Sequence, residues 1–341
     1  MGSKKKVQTG WEYYSTFGQV LGVGEVSALT RITNGETEVW SGALDPTSRD
    51  VDGRTVITTE IGDLHWFWGR VDQNTSALLD AQVADVGAGP VSLPWPAFRP
   101  LNYFVADDIA HGQQVSPPTL KFELRRTPAL LDLSAHELSG DAVLPEVIYE
   151  IYTDVLWGAG IDAGELDVAS FEAAAEVIIA EDLGVSPYLD EDVSIREYVG
   201  KLLQYMDGYL RWVDGKLALK LIRPEDTTNA VIIDADNLAE EPRALNEGWG
   251  DTWNLTVLLF TDRENDWDEN ASEVYDDVAN RAARGETVRE EVKLPFVTRR
   301  SVAKLLAKRK GLKAGVPRTT WELKVLPSLR HLRPGDVAIL N

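Results

Sequence analysis

The stretch from residue 143 to residue 222 constrains the fold most, because its pattern predicts three helices that lead directly into a β-hairpin. Apolar residues recur at helical spacing over residues 144–157 and again over residues 170–182. A third helix begins at Ser194, where the sequence Ser-Ile-Arg-Glu is a capping box. The Asp214-Gly215 pair then predicts a tight turn between two strands. Nothing in this stretch resembles a catalytic motif, yet its architecture is specific.

The rest of the chain predicts mainly strands, so the expected fold class is α+β with β-structure dominant. Between residues 11 and 126, short β-runs alternate with Gly and Pro, and Asn34-Gly35 is a strong hairpin signal. Further along, strand candidates surround predicted helices at 271–284 and 297–311. We therefore predict a basic N-terminal tail (residues 1–9), a β-rich domain (10–140), a helical subdomain (141–208) and a second α+β domain (209–341).

Composition excludes several classes of function. The 341 residues contain no cysteine, which rules out disulfides, a thiolate nucleophile and a cysteine-based zinc site. No apolar run approaches the ~20 residues that span a bilayer, and the first residues lack the apolar core of a secretory signal. The net charge of −21 argues against a general nucleic-acid binder, since phosphate affinity depends on clustered Lys and Arg. An acidic surface could instead line a passage for a polyanion or simply maintain solubility.

Residues that could carry chemistry do not form a motif. The four histidines, His65, His111, His136 and His331, have no metal-ligand spacing, and no nucleophile elbow or phosphate loop is present. We expect no catalytic residues and no cofactor. The numerous carboxylates and the 11 tryptophans leave two alternatives open, a cell-wall glycan hydrolase and a carbohydrate- or receptor-binding module.

One acidic segment, residues 262–273, copies the ligand spacing of a calcium-binding loop. Trp267 stands where the sharp turn of such a loop requires glycine, and the preceding residues predict a strand rather than a helix. A solvated acidic loop before a helix is therefore the preferred interpretation, with calcium as the alternative. The candidate ligands are Asp262, Asp266, Asp268 and Glu273.

Two groups of residues are candidates for contacts with other chains or domains. The first is an aromatic stretch bracketed by prolines, which is too apolar to face solvent throughout. Its members are Trp66, Phe67, Trp68, Trp95, Phe98, Tyr103 and Phe104. The second is the basic face of the last predicted helix, for which a solvated surface is the alternative to docking on an acidic neighbour. Its main candidates are Arg300, Lys304 and Lys308.

Ordered short motifs along nearly the whole chain resemble one family. They begin with a lysine-rich start and YYSTFGQVLGVGEVSALTRITNGETEVWSG, and continue with PEVIYE, LWG, LDVASF, DGYLRWVDGKLALKLIRPED and LRPGD. Together they resemble phage tail-tip hub proteins, the host-attachment proteins of lambda-like siphophages, with relatives in gene transfer agents. Gly24-Glu25-Val26-Ser27 departs from the family's Gly-Pro-Val-Asp segment.

The resemblance implies a homotrimeric baseplate hub built from tail-tube-like β-barrels with an inserted helical subdomain. Such a hub caps the tail tube, docks to the distal tail protein, carries tip or fibre proteins and encloses the exit path of the tape measure protein and DNA. It implies a location in the virion after synthesis in the host cytoplasm, indirect contact with the host surface and no enzymatic activity. The chain is expected to be a short hub or the N-terminal part of a longer protein.

If three copies surround the path of DNA, carboxylates should line the channel, because a positive lining would hold the phosphates. Loop acids are better candidates than helix-face acids for this role. The candidates are Asp190, Glu191, Asp192, Asp266 and Asp268, and an outer solvated loop is the alternative for each group.

Overall fold

The computed structural model describes residues 11–85, 96–113, 116–189, 193–223 and 230–341. The chain divides into two compact units, Met1–Thr127 and Pro128–Asn341. Strands outnumber helices in the element order, so the predicted β-dominated α+β class is confirmed. No closed barrel occurs within the described ranges.

The first unit contains a four-stranded sheet and a three-stranded sheet, both with antiparallel neighbours. The four-stranded sheet has the order β1-β6-β5-β4, and the three-stranded sheet has the order β3-β2-β7. The elements are β1 (Tyr13–Val23), β2 (Ala28–Asn34), β3 (Thr37–Leu44), β4 (Arg54–Thr59), β5 (Gly62–Trp68), α1 (Ala77–Asp85), β6 (Leu101–Gly112) and β7 (Leu120–Arg125). The Asn34-Gly35 turn joins β2 to β3 as predicted.

Strand β5 is buried on both of its faces. Trp66 and Trp68 point into a core shared with the three-stranded sheet, where the Trp66 and Phe122 rings lie 5.6 Å apart. Phe67, between them, points to the opposite face and stacks on Tyr103 at 4.3 Å. The alternation follows from the two-residue period of a strand, and it produces an uninterrupted aromatic run when both faces are covered.

This double burial corrects the prediction for the aromatic stretch. Trp66 and Trp68 are 0% exposed and Tyr103 is 2% exposed, and Phe67 and Phe104 are equally inaccessible. These side chains fill the cores of their own unit and do not form a surface seam. Phe98 is half-buried and contacts Tyr103 edge-on at 5.2 Å, and Trp95 lies outside the described residues.

The second unit combines helices, short hairpins and a mixed three-stranded sheet of order β15-β14-β16. None of its described helices is long and apolar enough to cross a membrane. The elements are β8 (Glu137–Leu138), β9 (Asp141–Ala142), α2 (Leu144–Thr153), α3 (Val168–Ala180), α4 (Ile195–Met206), β10 (Gly208–Val213), β11 (Lys216–Leu221), β12 (Val231–Ile233), β13 (Arg243–Asn246), β14 (Leu255–Asp262), β15 (Asp268–Asp276), α5 (Val278–Arg284), β16 (Arg289–Lys293), α6 (Arg300–Ala314), β17 (Thr319–Glu322) and β18 (Ala338–Leu340).

Local signals place several of these elements where the sequence predicts them. The hydroxyl of Ser194 accepts a hydrogen bond from the Glu197 amide and caps α4. Asp214 and Gly215 both have positive φ values, of 52° and 83°, as the tight turn between β10 and β11 requires. Pro145 occupies the first turn of α2, where its missing amide hydrogen costs nothing.

Two predicted helices differ from the observed ones. Helix α3 begins at Val168 rather than at Ser170, because the Ser170 hydroxyl donates to the Asp167 carbonyl and accepts from the Leu219 amide. That serine therefore ties the helix to β11 instead of capping it. The helix predicted at 271–284 is the second half of β15 followed by the short α5. Pairing with β14 along most of its length holds β15 extended.

The three helices α2–α4 and the later β14 and α6 share one hydrophobic core. Phe171 of α3, Leu202 of α4 and Leu306 of α6 are all at most 1% exposed in this core. The predicted helical segment 141–208 is thus part of a larger unit that includes the β-elements after it. The boundary between the two units falls before Pro128, ahead of the predicted boundary at residue 140.

A buried carboxylate, that of Asp141, joins four parts of the second unit. It accepts hydrogen bonds from Ser186 Oγ at 2.7 Å, from Thr298 Oγ1 at 2.5 Å and from Arg299 Nε at 2.8 Å. Arg263 approaches the same carboxylate at 3.3 Å. Because the Asp141 side chain is 0% exposed, its charge depends on these donors.

Replacing Asp141 by alanine should strongly destabilise the protein. Asp141→Ala leaves Arg263 and Arg299 near a buried site without their counter-charge, which costs about 3–5 kcal/mol in comparable cases. Asp182→Asn is the matched control, since this 60% exposed carboxylate also pairs with Arg299, asparagine tolerates its φ of 51°, and exposed pairs contribute about 0–1 kcal/mol. Urea unfolding of the two variants measures the difference. Equal losses for both variants would contradict the role assigned to Asp141.

A second carboxylate, Glu181, connects the end of α3 to two other segments. Arg223 binds both of its oxygens, at 2.7 and 2.8 Å, and Arg309 of α6 binds at 2.7 Å. Burial raises the pKa of Glu181, but the hydrogen bonds and charges of the two arginines outweigh that effect and leave its pKa below the usual value.

The lowered pKa of Glu181 predicts a loss of stability in acid. A carboxyl whose pKa is lower in the folded protein than in the unfolded chain stabilises the folded state. This stabilisation is complete above the unfolded pKa of about 4.5 and is lost as pH falls through the folded pKa. Glu181→Gln should therefore flatten the decline in the free energy of unfolding below about pH 4.5. Urea unfolding across this range measures the slope. A slope for Glu181→Gln equal to that of the wild type would contradict the prediction.

Candidate interaction surfaces

The histidines do not assemble a catalytic or metal site. Each contacts a different partner, and no group of three His, Asp or Glu side chains able to hold a metal ion occurs in the part of the chain that the structure describes. Burial lowers the pKa of His65, and the Arg54 guanidinium lowers it further. The contacts are His65 with Arg54, His111 with Ser15, His136 with Glu146, and His331 with the Ser328 carbonyl.

The pair formed by Ser15 and His111 has the first contact of a nucleophile and its base. Ser15 Oγ lies 2.6 Å from His111 Nε2, across the ladder between β1 and β6. A catalytic triad also needs a group that orients the imidazole through its other nitrogen. His111 Nδ1 is buried and finds no hydrogen-bond partner among the described residues. The pair therefore lacks the third member of a triad.

The calcium candidate segment is a β-hairpin. Asp262 ends β14 and Asp268 begins β15, and an extended strand separates Asp268 from Glu273 by roughly 17 Å along its axis. Asp262 and Glu273 instead bind one guanidinium, that of Arg300, at 2.8 and 2.6 Å. Asp266 is exposed in the turn, where its φ is 50°. The proposed ligands therefore do not converge on one point. Pairing with β14 holds residues 268–276 as an extended strand, whereas a calcium loop requires a curved backbone.

The basic helix α6 finds most of its acidic partners within its own unit. Arg300 pairs with Asp262 and Glu273, Arg309 with Glu181, and Lys313 with Asp207 at 3.6 Å. Lys304 and Lys308 lie one turn apart and exposed, and neither forms an ion pair with a described residue. Docking of α6 on an acidic neighbour therefore stays a prediction for these two lysines, while Arg300 has internal partners.

The lumen candidates lie partly within the described residues and partly outside them. Asp190, Glu191 and Asp192 lie outside the described residues. Asp266 is exposed and Asp268 half-buried, both at the turn between β14 and β15. Whether they face a channel in an assembly stays a prediction.

Two motifs more than a hundred residues apart meet in what we call the clasp, formed by Arg211, Asp214, Arg333 and Asp336. Arg211 Nη1 donates to Asp336 Oδ1 at 2.7 Å and to the Pro334 carbonyl at 3.1 Å. Arg333 Nη2 donates to Asp214 Oδ1 at 3.0 Å. The hydrogen bond from Arg211 lowers the pKa of the Asp336 carboxyl. The clasp thus fastens the β10–β11 hairpin to the Arg-Pro-Gly-Asp turn.

The clasp closes tightly at a glycine. Gly335 has a φ of 87°, a conformation that L side chains rarely adopt, and a Cβ atom there would overlap the phenol ring of Tyr209. Tyr209 and Gly335 also line a small hollow of about 380 Å³ beside the hairpin. The sequence predicted the hairpin from its Asp214-Gly215 turn and marked the Arg-Pro-Gly-Asp segment only by resemblance, and it gave no sign that the two touch.

The outermost part of the second unit has almost no core. We call residues 230–251 and 316–341 the ribbon region, because β12 pairs only with β18 and β13 only with β17 among the described strands. Two-stranded sheets are marginally stable by themselves. Ile233 and Leu329 are the buried apolar residues there. The exposed apolar side chains are Ile232, Leu245, Trp249, Val316, Trp321, Val325, Leu326, Ile339 and Leu340.

A second exposed apolar surface follows the edge of the first unit. Strand β1 pairs with β6 on one side only, within the described residues, and it is 11 residues long. Trp11, Tyr14, Val20 and Val23 are 40–70% exposed along it. Long apolar edges of this kind favour pairing with another chain.

Comparisons with known proteins give one family match and one similar fold. Residues 194–341 match the model of a family described as a putative phage tail protein. The chain is also similar in fold to a protein in the virion of a native gene transfer agent (GTA) particle, with a TM-score of 0.58 and 20% identity over 97% of this chain and 75% of the other. No curated protein matches the chain. The family match covers less than half of the chain, and the structural match shows a shared fold. The matched segment 194–341 contains the clasp and the ribbon region.

A double-mutant cycle should show that the clasp is a specific contact. Arg211→Ala and Asp336→Ala should couple by about 0.5–1 kcal/mol, because the Arg211 and Asp336 side chains are only 17% and 33% exposed. The matched control is the pair of Arg243 and Glu322, whose side chains are 73% and 60% exposed and which should show no measurable coupling. Urea unfolding of the six variants and the wild type provides both cycles. A coupling energy no larger than that of the control pair would show that the clasp does not stabilise the protein.

Proposed function

We propose that this chain is a structural virion protein, the central hub at the tail tip or baseplate of a long-tailed phage. The observation that carries the proposal is the ribbon region, which exposes Trp249 and Trp321 and whose paired strands bury little within the chain. A protein that functions alone rarely leaves such strands uncovered. The family match over residues 194–341 and the fold similarity to a virion protein support the same assignment.

In this proposal the chain forms a homotrimer. The ribbon region of each copy packs on a neighbour, and the exposed edge of β1 is a further pairing surface. The trimer caps the tail tube and docks to the distal tail protein, with tip or fibre proteins attached below. Lys304 and Lys308 provide a basic contact for an acidic neighbour.

The acidic balance of the chain suits a conduit. The tape measure protein and DNA pass through the ring without lasting contact, because a net charge of −21 repels phosphates. Asp266 and Asp268, and the acids at 190–192, are the proposed lining. The host surface is reached indirectly, through the attached tip proteins.

Substitution in the ribbon region tests the proposed trimer. Sedimentation velocity of the wild type should give a species of three times 37.7 kDa. Trp321→Arg and Leu245→Arg introduce a charge at 49% and 39% exposed positions, so each should favour the monomer without loss of fold. Val155→Arg is the control, since this 81% exposed residue lies outside the ribbon region.

Circular dichroism and thermal unfolding establish that each variant is folded. The proposal predicts that Val155→Arg remains trimeric while both ribbon variants dissociate. A wild type that is monomeric at all concentrations would contradict the trimer. Ribbon variants that remain trimeric would show that this region does not hold the copies together.

A further inference from the structure

The second unit contains an open groove that no described segment of the chain fills. It has a volume of about 930 Å³ and lies between α4, the β10–β11 hairpin and the end of α6. A smaller hollow of about 380 Å³ adjoins it, since the two share Tyr209 and Ile222 as lining residues. We call the larger one the α4 groove. The lining residues used below are Tyr152, Arg196, Gly200, Trp212, Lys310 and Lys313.

Gly200 keeps the α4 groove open. It lies inside α4, where a glycine lowers helix stability relative to alanine. Its φ is not positive, and a Cβ atom built on it would meet nothing within 4 Å, so neither the backbone nor packing requires glycine there. A larger side chain at this position would project into the groove. The residue therefore leaves space where a ligand side chain could enter.

The chemistry of the α4 groove is apolar and cationic. Trp212 is 65% exposed on its rim, and Tyr152 is half-buried in its wall. Arg196 is exposed and forms no ion pair with a described residue, and Lys310 donates to the Gln204 carbonyl. Asp207 offsets the charge of Lys313 in part. On a chain with a net charge of −21, this groove suits an aromatic side chain flanked by carboxylates.

The ribbon region of the same protein displays such a group. Trp249 is 55% exposed on a short 3-10 turn, between Gly248 and Gly250, which leave its indole unobstructed. Glu247 and Asp251, both exposed, stand two positions before and after it. We call residues 247–251 the tryptophan knob. None of them lines the α4 groove, so the two are separate patches on one unit.

We propose that the tryptophan knob of one copy binds in the α4 groove of the next copy. Trp249 enters the space above Gly200, and Glu247 and Asp251 face the cations Arg196 and Lys310. Because two different patches meet, the contact is head-to-tail. Its repetition generates a closed ring when the rotation from each copy to the next brings the last copy into contact with the first. This inference rests on the proposed function, because it specifies how the copies of the hub contact one another.

Two single variants disable the two halves of the contact separately. Trp249→Ala removes the knob, and Gly200→Trp fills the groove. Each should raise the apparent dissociation constant of the oligomer about thirty-fold or more, as loss of a central tryptophan does at comparable interfaces. Gly200→Ala is the matched control, because a methyl group leaves the groove open and favours the helix, so this variant should assemble like the wild type.

Mixing the two disabled variants gives the decisive measurement. The Gly200→Trp copy retains a knob and the Trp249→Ala copy retains a groove, so together they should form a one-to-one dimer that grows no further. Sedimentation velocity of each variant and of the mixture measures this. A mixture that stays monomeric, or single variants that assemble like the wild type, would overturn the knob contact.

The outcomes separate this contact from the proposed function. A trimeric wild type with unaffected single variants removes the knob contact and leaves the hub assignment intact. A wild type that never associates removes both. Circular dichroism of Gly200→Trp and Trp249→Ala establishes that each disabled copy is folded, and formation of the mixed dimer would itself require both copies to be native.

Discussion

The buried carboxylate of Asp141 is the contact on which the arrangement of the second unit depends. Asp141 lies in the short strand β9. Its carboxylate binds Ser186 in the segment after α3, Arg299 at the start of α6 and Arg263 in the turn after β14. Arg299 then extends the network to Asp182 at 2.7 Å. The helices and the mixed sheet therefore share a core because ion pairs at its border fix their ends. A carboxylate without these donors would not remain charged at full burial.

Elements defined by local signals could be predicted from the sequence. The cap at Ser194 and the Asp214-Gly215 turn depend on contacts within a few residues. They therefore set the start of α4 and the turn of the β10–β11 hairpin independently of the rest of the fold. Ser170 shows where this reasoning ends. Its hydroxyl is a good helix cap by type, but a partner in β11 bonds it instead. The first half of the helix predicted at 271–284 was wrong for the same reason, since pairing with β14 overrides local preference there, whereas residues 278–284 form α5.

Features of the candidate surfaces depend on contacts that no local pattern contains. Arg300 was predicted to meet an acidic neighbour, and the acids it meets are on its own chain, 27 and 38 residues away. The aromatic run of β5 indicated an apolar environment correctly, but the sequence could not show that a second sheet and α1 provide it. Charge and hydropathy specify the kind of partner a side chain needs. The fold decides whether that partner is internal, and only what remains uncovered is available for assembly.

The contrast between the two ends of the second unit links stability to assembly. The part from α2 to α6 is held by a shared core and buried ion pairs, whereas the ribbon region has two short pairings and few buried apolar residues. Regions with so little buried apolar surface open at low free energy. Contacts between copies that cover Trp249 and Trp321 would stabilise the ribbon region in proportion to protein concentration, because binding to the folded form shifts the folding equilibrium. A hub built in this way would complete its own fold as the ring closes, so that assembly selects copies whose core is already formed.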